Sequence, residues 1–510
     1  MRNKVVTAAE AVQRIRDGAT VATGGFVGVG FAENIAVALE QRFTSTGLPR
    51  DLTLIYAAGQ GDGKDRGLNH FAHHGLVRRV IGGHWGLVPK LQALAIDNQI
   101  EAYNLPQGVI SQLFRDTAAG KPGLLSSVGV GTFVDPRYGG GKISARARDE
   151  LVELMIIGGA EYLFYKAQPI DVAIIRGTTA DTNGNVTMEK EALTLEALAI
   201  AMAAHNSGGI VIVQVEKVVD AGTLNARQVK VPGILVDYVV VSEKPEYHQQ
   251  TFGTAYSEAY ASHVRLPLGS IKPAPLSERV IIARRALMEL NEGDIVNLGI
   301  GMPEGVAQAA AERQMLDKIT LTAEAGVIGG MPVSGLDFGA AINAEAVIDQ
   351  PYQFDFYDGG GLDAAVLGLA QADRFGNLNV SKFGSRLAGA GGFINISQNA
   401  KKVVFVGTFT AGGLQIAIED RRLRIVKEGS TRKFVADVEH RTYSGAHAYA
   451  RGQQALYVTE RCVFRLVEGG LELIEIAPGI DLERDVLAQM DFTPAVSPSL
   501  ALMADAVFAA

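Results

Sequence analysis

Short runs of β-branched and other apolar residues recur along the chain and predict buried strands. Most of these runs are followed within a few residues by glycine, and alanine-rich stretches with helical spacing lie between some of them, such as 191–205. Fully apolar strands that alternate with helices are typical of an α/β fold with a largely parallel sheet. The runs include residues 52–56, 172–175, 210–215, 319–322 and 403–406.

The two halves of the chain carry the same sequence blocks in the same order. Three ordered matches are hard to obtain by chance, so they predict two tandem copies of one α/β unit. The matched blocks are 17–24 with 292–299, then 52–54 and 58–59 with 319–321 and 325–326, and finally Asp171 and 180–185 with Asp363 and 372–377.

We therefore expect two structurally similar α/β domains, formed by residues 1–268 and 269–510. A chain of 510 residues also exceeds what a single hydrophobic core usually supports. The proline-rich segment 265–276 lies between the repeated blocks, and its prolines can neither continue a helix nor donate to a sheet. It is the predicted linker.

The repeat draws attention to one carboxylate. Ala57 of the first half aligns with Glu324 of the second, just after a predicted strand. Ligands of open α/β sheets bind beyond the carboxyl ends of the strands, and a cleft between two such halves is a natural site. The small and apolar neighbours of Glu324 favour a partly desolvated carboxylate, but an ordinary ion-paired glutamate would show the same pattern. The residues alone leave both interpretations open.

Three glycine-rich loops, residues 23–30, 297–305 and 384–393, are candidate binding elements. Free N–H groups in such loops can hold a phosphate or an oxyanion. Tight turns that require a positive φ would account for the same glycines. The loop 297–305 is predicted to connect a strand to a helix, but it is not a dinucleotide-binding fingerprint because its third glycine is displaced.

Composition narrows the classes of function. Apolar residues make up 47% and charged residues 20% of the chain, which is typical of a soluble globular protein. The formal net charge is -8 and no long run of Lys or Arg occurs, which argues against a nucleic-acid-binding protein. A small polyanionic ligand is still compatible with this charge, because a few local cations or a helix N-terminus can bind it.

The cysteine and histidine content predicts no metal site. The single cysteine, Cys462, rules out an intrachain disulfide and a cysteine-based zinc cluster. His70, His73, His74 and His84 lie close in sequence, but their spacing does not match a known pair of metal ligands. We interpret them as surface or pocket residues.

No targeting or membrane segment is predicted from the sequence. The N-terminal segment soon becomes polar and amphipathic, unlike a signal peptide. The apolar runs are well below the roughly 20 residues of a membrane span. We expect a cytoplasmic enzyme that associates with neither a membrane nor nucleic acid.

Seven short segments, spread in order over both halves, form a specific combined signal. They are 24–26, 81–85, 105–108, 297–304, 324–326, 357–361 and 389–393. Together they resemble the class I coenzyme A transferases over nearly the whole chain. Within that family the chain looks closest to the short-chain acetate/propionate CoA-transferases that carry both subunits in one polypeptide. The residue after Glu324 is Ala325, where the family often has serine or asparagine.

The resemblance implies an acyl-CoA:carboxylate CoA-transferase with ping-pong kinetics and Glu324 as the catalytic nucleophile. Glu324 would form an acyl anhydride and then a glutamyl-CoA thioester. The coenzyme A thioester is a substrate in this scheme, free carboxylic acids are the other partners, and no cofactor or metal is permanently bound. The family also suggests a homo-oligomer, for example a tetramer.

The resemblance further implies binding residues around Glu324. The backbone N–H groups near 25–28 and 391–392 are candidate donors to the oxyanion of each tetrahedral intermediate. The residues expected near coenzyme A are Gly299, Gly301, Gly391 and Gly392. The residues expected in the oxyanion and acyl pocket are Gly25, Phe26, Val27, Gly28, His84, Gln107 and Gly108.

Two other functions are compatible with the same fold. An acyl-CoA hydrolase would use the same glutamate but admit water to the intermediate. A module that senses coenzyme A or a sugar phosphate would need no carboxylate at position 324, and would usually carry a DNA-binding or partner segment, which the sequence does not show. Fold alone does not decide between these functions.

Overall fold

The structure is a computed structural model that describes residues 3–267 and 275–509. Its first large sheet has eight strands, which all pair in parallel. Both faces are buried, because alternate residues of a strand such as Val172–Arg176 contact two different hydrophobic clusters. In order across the sheet, the strands are Val5–Val6, Tyr238–Val241, Ile210–Val215, Val172–Arg176, Thr20–Thr23, Leu52–Tyr56, Val77–Gly82 and Glu101–Asn104.

The second large sheet has ten strands, all within residues 295–502. Its five central strands pair in parallel, and mostly antiparallel strands extend it at both edges. In order across the sheet, the strands are Ala346–Val347, Val327–Ile328, Thr320–Ala323, Ile295–Leu298, Ala364–Gly368, Lys402–Val406, Gln454–Val458, Cys462–Val467, Gly470–Ile476 and Ala495–Leu502.

Helices and small sheets connect and cover these strands. The α-helices are Ala8–Val12, Glu33–Thr46, Pro89–Ile96, Gln107–Ala118, Ala197–Asn206, Glu278–Leu287, Glu304–Glu312, Gln350–Asp358, Phe393–Asn399 and Gly445–Ala450. The strands of the small sheets are Gly123–Ser126, Val152–Ile157, Ala160–Lys166, Thr179–Asp181, Val186–Thr187, Lys217–Val219, Val229–Val231, Met331–Pro332, Ala341–Ile342, Gln371–Asp373, Leu378–Asn379, Lys382–Phe383, Arg386–Leu387, Thr410–Ala411, Gln415–Glu419, Arg422–Lys427, Thr431–Arg432 and Phe434–Val435.

The structure confirms a strand at each of the five predicted runs and confirms the largely parallel α/β fold. The helix predicted for 191–205 is wrong in its first part, since the helix is Ala197–Asn206. Glu191 is instead held in a buried ion pair with Arg176, at 3.1 Å between nitrogen and oxygen. Leu195 has a φ of 55°, and a right-handed helix cannot continue through that conformation.

The two halves are structural copies of one another in their central strands. Five parallel strands occur in the same spatial order in both sheets, with Thr20–Thr23 corresponding to Ile295–Leu298 and Leu52–Tyr56 to Thr320–Ala323. The boundary predicted at 268/269 and part of the predicted linker fall on residues 268–274, outside the described residues, so the boundary stays a prediction.

The matched aspartates of the repeat make the same hydrogen bonds in both halves. Buried Asp181 accepts two backbone N–H groups of the following turn and the side-chain amide of Asn185, at 2.9–3.0 Å. Buried Asp373 accepts two backbone N–H groups and the side-chain amide of Asn377, at 2.9–3.1 Å. The repeated sequence block therefore encodes one repeated turn.

The carboxyl ends of the two sheets face each other across a shared interface. The rings of Phe26 and Phe338 pack with centroids 5.7 Å apart, inside a hydrophobic cluster drawn from both halves. Beside this cluster, the N–H of Trp85 donates to the carbonyl oxygen of Ala388 at 2.7 Å. Contacts of both kinds place the strand ends of one half against those of the other.

Replacing either turn aspartate with alanine is expected to destabilise the protein by a similar amount. Asp181→Ala and Asp373→Ala each remove the three hydrogen bonds of the turn and a longer fourth one, from a backbone N–H at 3.4 Å, so we expect a loss of about 2 kcal/mol in the free energy of unfolding. Urea titration followed by circular dichroism measures it. Asp437→Ala, which removes an exposed aspartate with an ion pair at 3.8 Å, is the control with little expected effect. A large loss in one half only would contradict the equivalence of the two turns.

Candidate active site

A tight turn presents Glu324 at the end of a central strand. Glu324 follows the strand Thr320–Ala323 directly, and the chain then reverses into the antiparallel strand Val327–Ile328. Gly326 in this turn has a φ of 119°, and a Cβ at that position would collide with the carbonyl oxygen of Ile348. Only glycine fits both constraints. The turn therefore holds the backbone of Glu324 at the carboxyl end of the second sheet.

Glu324 lines a cavity of about 240 Å³ between the two halves. Most of the other lining residues are apolar or glycine, and each half supplies part of the wall. The first half contributes Phe26, Val27, Ala58, Gly59, His84, Leu87 and Gln107. The second half contributes, besides Glu324, Asn297, Gly299, Ile300, Leu367, Gly368, Val380, residues 388–393 and Ile396.

Burial desolvates the carboxylate of Glu324, and no described residue forms an ion pair with it. Burial raises the pKa of Glu324, while hydrogen bonding by its own backbone N–H and by the side chain of Asn297 acts in the opposite direction. Within residues 3–267 and 275–509, Glu324 forms no salt bridge. The ion-paired alternative therefore does not apply among these residues, and the carboxylate is solvated less well than it would be in water.

Most N–H groups of the glycine loops already have an acceptor. The N–H groups of Phe26, Val27 and Gly391 donate to backbone carbonyl oxygens at 2.9, 2.7 and 2.8 Å. They are therefore not available to an oxyanion in this conformation. The N–H of Gly392 has no acceptor in the part of the chain that the structure describes, and a Cβ on Gly392 would lie 3.4 Å from Cγ of Glu324.

Three of the glycines expected in the pocket are not part of the cavity wall. A Cβ on Gly28 would lie 2.6 Å from the carbonyl oxygen of Leu336, and the N–H of Gly108 donates to Oδ1 of Asn395 at 3.1 Å. These two glycines allow close approach between the halves. Gly25 instead faces the buried carboxyl group of a glutamate in its own half.

That buried carboxyl group belongs to Glu196. Burial raises the pKa of Glu196 to about 8, and the backbone N–H of Gly25 acts in the opposite direction. Neither carboxyl oxygen of Glu196 has a hydrogen-bond partner among the described residues, so Gly25 lies near this group without donating to it.

The two glycines of the loop 297–305 lie in different cavities. Gly299 lines the cavity that contains Glu324, as does the neighbouring Ile300. Gly301 instead lines a second cavity of about 510 Å³, whose wall includes residues of the helices Glu278–Leu287 and Glu304–Glu312. One short segment therefore contributes to both cavities.

Only one of the four clustered histidines lines the cavity. His84 does so, and burial lowers the pKa of its imidazole to about 4, so the ring is neutral at pH 7. His70 and His73 both contact the carboxylate of Glu40, at 2.6 Å. In the described residues, no group of three or more His, Cys, Asp or Glu side chains could hold a metal ion.

Sequence reasoning did not assign a role to the side chain of Asn297. This side chain is fully buried, and its Nδ2 donates to the carbonyl oxygen of Thr322 at 3.2 Å and to the hydroxyl of Tyr357 at 3.3 Å. Its Oδ1 has no hydrogen-bond partner among residues 3–267 and 275–509. The repeat contained a signal for this residue, because Asn297 aligns with Ala22, just as Glu324 aligns with Ala57.

Asn104 was also missed, and it connects the loops of the two halves. Its Nδ2 donates to the carbonyl oxygens of Gly82 and Gly83, both at 2.7 Å. Its Oδ1 accepts the N–H of Ala390 at 2.9 Å. A single polar residue at the end of an apolar run gives no recognisable sequence signal for this contact.

The duplicated α/β fold and the carboxylate-bearing cavity between its halves are those of a coenzyme A transferase. The family model described as Coenzyme A transferase matches residues 5–242 and 280–486, and the chain belongs to this family. The class of enzyme expected from the sequence is thereby confirmed.

Two curated relatives match over nearly their whole length. The caffeate CoA-transferase of Acetobacterium woodii is 49% identical over 510 residues, which span 99% of this chain and 97% of that protein. The acetate CoA-transferase YdiF of Escherichia coli (strain K12) is 44% identical over 508 residues, 99% of this chain and 95% of that protein.

A solved structure is similar over the whole chain. The acyl-CoA transferase YdiF of E. coli O157:H7, described as a thioester complex with CoA, superimposes with a TM-score of 0.93 at 44% sequence identity. The match covers 100% of this chain and 96% of that chain. In the described part of our chain, no helix is both long and apolar enough to cross a membrane.

Replacing Glu324 with glutamine is expected to stabilise the protein at neutral pH. The folded state raises the pKa of Glu324 above its ordinary value of 4.5, so ionisation is less favourable in the folded than in the unfolded chain. This penalty is fully present above the raised pKa and disappears below 4.5. Glu324→Gln should therefore raise the thermal midpoint at pH 7, and by less at pH 5.

The matched control is Glu258→Gln, which neutralises an exposed glutamate. We expect the thermal midpoint of Glu258→Gln to differ little from that of the unaltered protein at either pH. A lower midpoint for Glu324→Gln at pH 7 would mean that the carboxylate contributes to stability, contrary to its desolvated setting.

Proposed function

We propose that this coenzyme A transferase moves CoA between short-chain carboxylic acids, with Glu324 as the covalent nucleophile. The main support is the setting of Glu324, a carboxylate that lines a cavity at the strand ends and has no salt bridge within the described residues. A partly desolvated carboxylate is a stronger nucleophile than one in water. A 44% identical acyl-CoA transferase has been solved as a thioester complex with CoA, which is consistent with such an intermediate.

The proposed reaction conserves the energy of the thioester in four steps. A carboxylate oxygen of Glu324 attacks the carbonyl carbon of the donor acyl-CoA, and the C–S bond breaks to release CoA thiolate and leave an acyl-glutamyl anhydride. The thiolate attacks the glutamyl carbonyl carbon, which releases the donor acid and forms a glutamyl-CoA thioester. The acceptor carboxylate then runs both steps in reverse. Ping-pong kinetics are the signature of this scheme.

Each tetrahedral intermediate places negative charge on an oxygen near Glu324. Among the glycine-loop candidates that line the cavity, the N–H of Gly392 is the donor we favour, since no described residue accepts it. One oxyanion donor is worth roughly 3–4 kcal/mol of transition-state stabilisation. The apolar wall would also keep water from the anhydride and the thioester, which favours transfer over hydrolysis.

The proposal also concerns the kind of carboxylic acid that the enzyme uses and its oligomeric state. The names of the relatives, an acetate and a caffeate CoA-transferase, support a monocarboxylate as the acid. Coenzyme A is the shared substrate. A homo-oligomer and a cytoplasmic location stay predictions.

Removing the carboxylate should abolish transfer. We expect Glu324→Ala and Glu324→Gln to lower kcat by at least about 10⁴-fold, as is typical for loss of a covalent nucleophile. Exchange of CoA from acetyl-CoA to propanoate measures this loss, and circular dichroism checks that both variants are folded. Substantial activity in a folded variant would reject Glu324 as the nucleophile.

The covalent intermediate should be detectable without an acceptor. After incubation with acetyl-CoA alone, mass spectrometry should find CoA, or the product of its reductive removal, on the peptide that contains Glu324. An unmodified peptide under conditions of active turnover would contradict the mechanism. Free CoA that appears without any acceptor acid as fast as CoA is transferred when an acceptor is present would instead identify a hydrolase.

The pH profile should report the ionisation of Glu324. Attack requires the carboxylate form, and burial raises the pKa of this group above 4.5. We therefore expect kcat/KM for the acyl-CoA donor to fall as the pH drops, with an apparent pKa above 4.5. Single-turnover release of the donor acid from acyl-CoA measures the first half-reaction without the titration of an acceptor acid. A rate that stays constant down to pH 4.5 would contradict the shifted pKa.

A further inference from the structure

The segment 357–361 is one of the seven that resemble the family, yet the proposed mechanism assigns it no role. Its Asp358 is the last residue of the helix Gln350–Asp358, where the helix dipole disfavours a negative charge. Desolvation raises the pKa of Asp358 to about 7, while hydrogen bonds from neighbouring amides act in the opposite direction. Within residues 3–267 and 275–509, this carboxylate forms no salt bridge. Asp358 is therefore a costly group that the chemistry described so far does not use.

The side chains that hydrogen-bond Asp358 all donate to it. Nδ2 of Asn395 donates to Oδ1 and Oδ2 of Asp358 at 3.0 and 3.1 Å, Nε2 of Gln112 donates to Oδ2 at 2.9 Å, and Nδ2 of Asn399 donates to Oδ1 at 3.3 Å. Gln112 lies on the helix Gln107–Ala118 of the first half, whereas the two asparagines lie on one short helix of the second half. Asp358 thus joins three helices from both halves through amide donors.

Asn395 links Asp358 to the backbone of the first half. Its Oδ1 accepts the N–H of Gly108 at 3.1 Å, while its Nδ2 donates to Asp358. A Cβ on Gly108 would lie 2.4 Å from Nδ2 of Asn395, so the two residues are in direct contact. Because one end of the amide accepts from Gly108 and the other end donates to Asp358, only one orientation of Asn395 satisfies both partners.

The helix that carries Asn395 begins beside Glu324. Gly392 is its N-cap, and a Cβ on this glycine would lie 3.4 Å from Cγ of Glu324. The N–H of Gln107 donates to the carbonyl oxygen of the preceding residue, Gly391, at 3.0 Å. The position of this loop therefore depends on Gln107 at one end and on Asn395 one turn further along the helix. The N–H of Gly392 is the oxyanion donor that we favour.

Tyr357 connects the same helix end to the strand that presents Glu324. Its side chain is fully buried, and its hydroxyl donates to Oγ1 of Thr322 at 2.8 Å. Thr322 lies on the strand Thr320–Ala323, which Glu324 follows directly. Two adjacent residues, 357 and 358, therefore hold the strand that carries the nucleophile and the helix that begins at the oxyanion donor.

We propose that Asp358 is a positioning residue for CoA transfer, which orients Asn395 and thereby sets the Gly392 N–H relative to Glu324. This inference rests on the proposed transfer through Glu324. Asp358 is not part of the cavity wall, so its loss should slow the chemical step and leave the binding of acyl-CoA nearly unchanged. A displacement of about 1 Å at the reacting groups is enough to slow a reaction about 100-fold.

Asp358→Asn tests the role of the carboxylate. Either orientation of the new amide places an NH₂ group against an amide donor, and Asn395 cannot turn over to accept from it without losing its bond from Gly108. With acetyl-CoA at pH 8, above the pKa of Asp358, we expect single-turnover formation of the Glu324–CoA adduct to slow by at least about tenfold. The Kd for acetyl-CoA, from the concentration dependence of that rate, should change by less than about threefold.

Quenched samples analysed by mass spectrometry give the rate, and circular dichroism checks folding. A smaller loss of rate in folded Asp358→Asn overturns the proposal, as does a loss that lies in Kd instead of the rate. If Asp358→Asn does not fold, Asn395→Ala, which removes the amide between Asp358 and Gly108, is held to the same two criteria.

Exchanging the two side chains provides the rescue variant. In Asp358→Asn/Asn395→Asp, the new asparagine donates to the new aspartate, which still accepts the N–H of Gly108, while Gln112 keeps an acceptor oxygen. Only the longest bond, from Asn399, loses its acceptor, and the net charge is unchanged. We expect the rate to recover to within about threefold of the unaltered enzyme. A folded double variant that stays as slow as Asp358→Asn overturns the proposal.

Asp355→Asn is the matched control, on the same helix and at the same contact between the halves. It weakens the partly exposed ion pair with Arg115 and removes one bond from Gln112, but it leaves the contacts of Asn395 intact. We expect a slightly lower thermal midpoint and a rate of adduct formation within about twofold of the unaltered enzyme. A loss of rate equal to that of Asp358→Asn would assign the effect to the stability of the interface and overturn the positioning role.

The unaltered enzyme separates this inference from the proposed function. An adduct on Glu324 in the unaltered enzyme establishes the covalent intermediate. Equally fast formation of that adduct in Asp358→Asn then overturns the positioning role alone. If the unaltered enzyme forms no adduct during turnover, the transfer mechanism fails, and the inference about Asp358 fails with it.

Discussion

The structure depends on keeping a carboxylate in a cavity whose described wall contains no lysine or arginine. Glu324 forms no ion pair with any described residue, and burial makes its charged form less favourable than in water. Such a group is costly to the folded state, so the rest of the molecule must supply the stability that it does not. That stability comes from two sheets whose central strands are buried on both faces and from the interface that joins them. The proposed chemistry uses the same lack of solvation that makes the group costly.

The two halves of the repeat differ at the strand ends: the second half carries the polar groups of the site, and the first half carries small apolar residues. At the two strand ends where the second half has Asn297 and Glu324, the first half has Ala22 and Ala57, which are fully buried. The first half therefore packs tightly where the second half carries polar atoms. Its loops then form the opposite wall of the cavity, and Asn104 connects them by hydrogen bonds to the loop that contains Ala390. The site exists only because both halves are present.

Local pattern and internal repetition were sufficient to predict much of this architecture. Runs such as 210–215 are apolar enough to form strands in almost any context, and the repeated aspartates encode the same turn wherever they occur. The difference between Ala57 and Glu324 was visible for the same reason, because aligned copies reveal the position at which they diverge. These features depend on residues that are close in the chain or related by the repeat.

The parts that could not be predicted depend on which groups meet across the interface. The glycines of a loop show that backbone N–H groups are accessible, but not that those of Phe26, Val27 and Gly391 already have acceptors. Likewise, the spacing in 297–305 does not reveal that Gly301 lines a different cavity from Gly299.

The same limit applies to charge, because the sequence does not show which charged groups surround Glu324. Counting 47 Lys and Arg residues in the sequence says nothing about where they lie, whereas the folded chain leaves the described wall of this cavity without any of them. A charged group outside the cavity is stabilised by water, whereas a charged group inside it must be stabilised by the side chains and backbone groups of the cavity wall. The described wall therefore solvates the carboxylate of Glu324 only weakly. The weak solvation that makes Glu324 costly to the folded state is thus the same property that would make it a nucleophile in the proposed transfer.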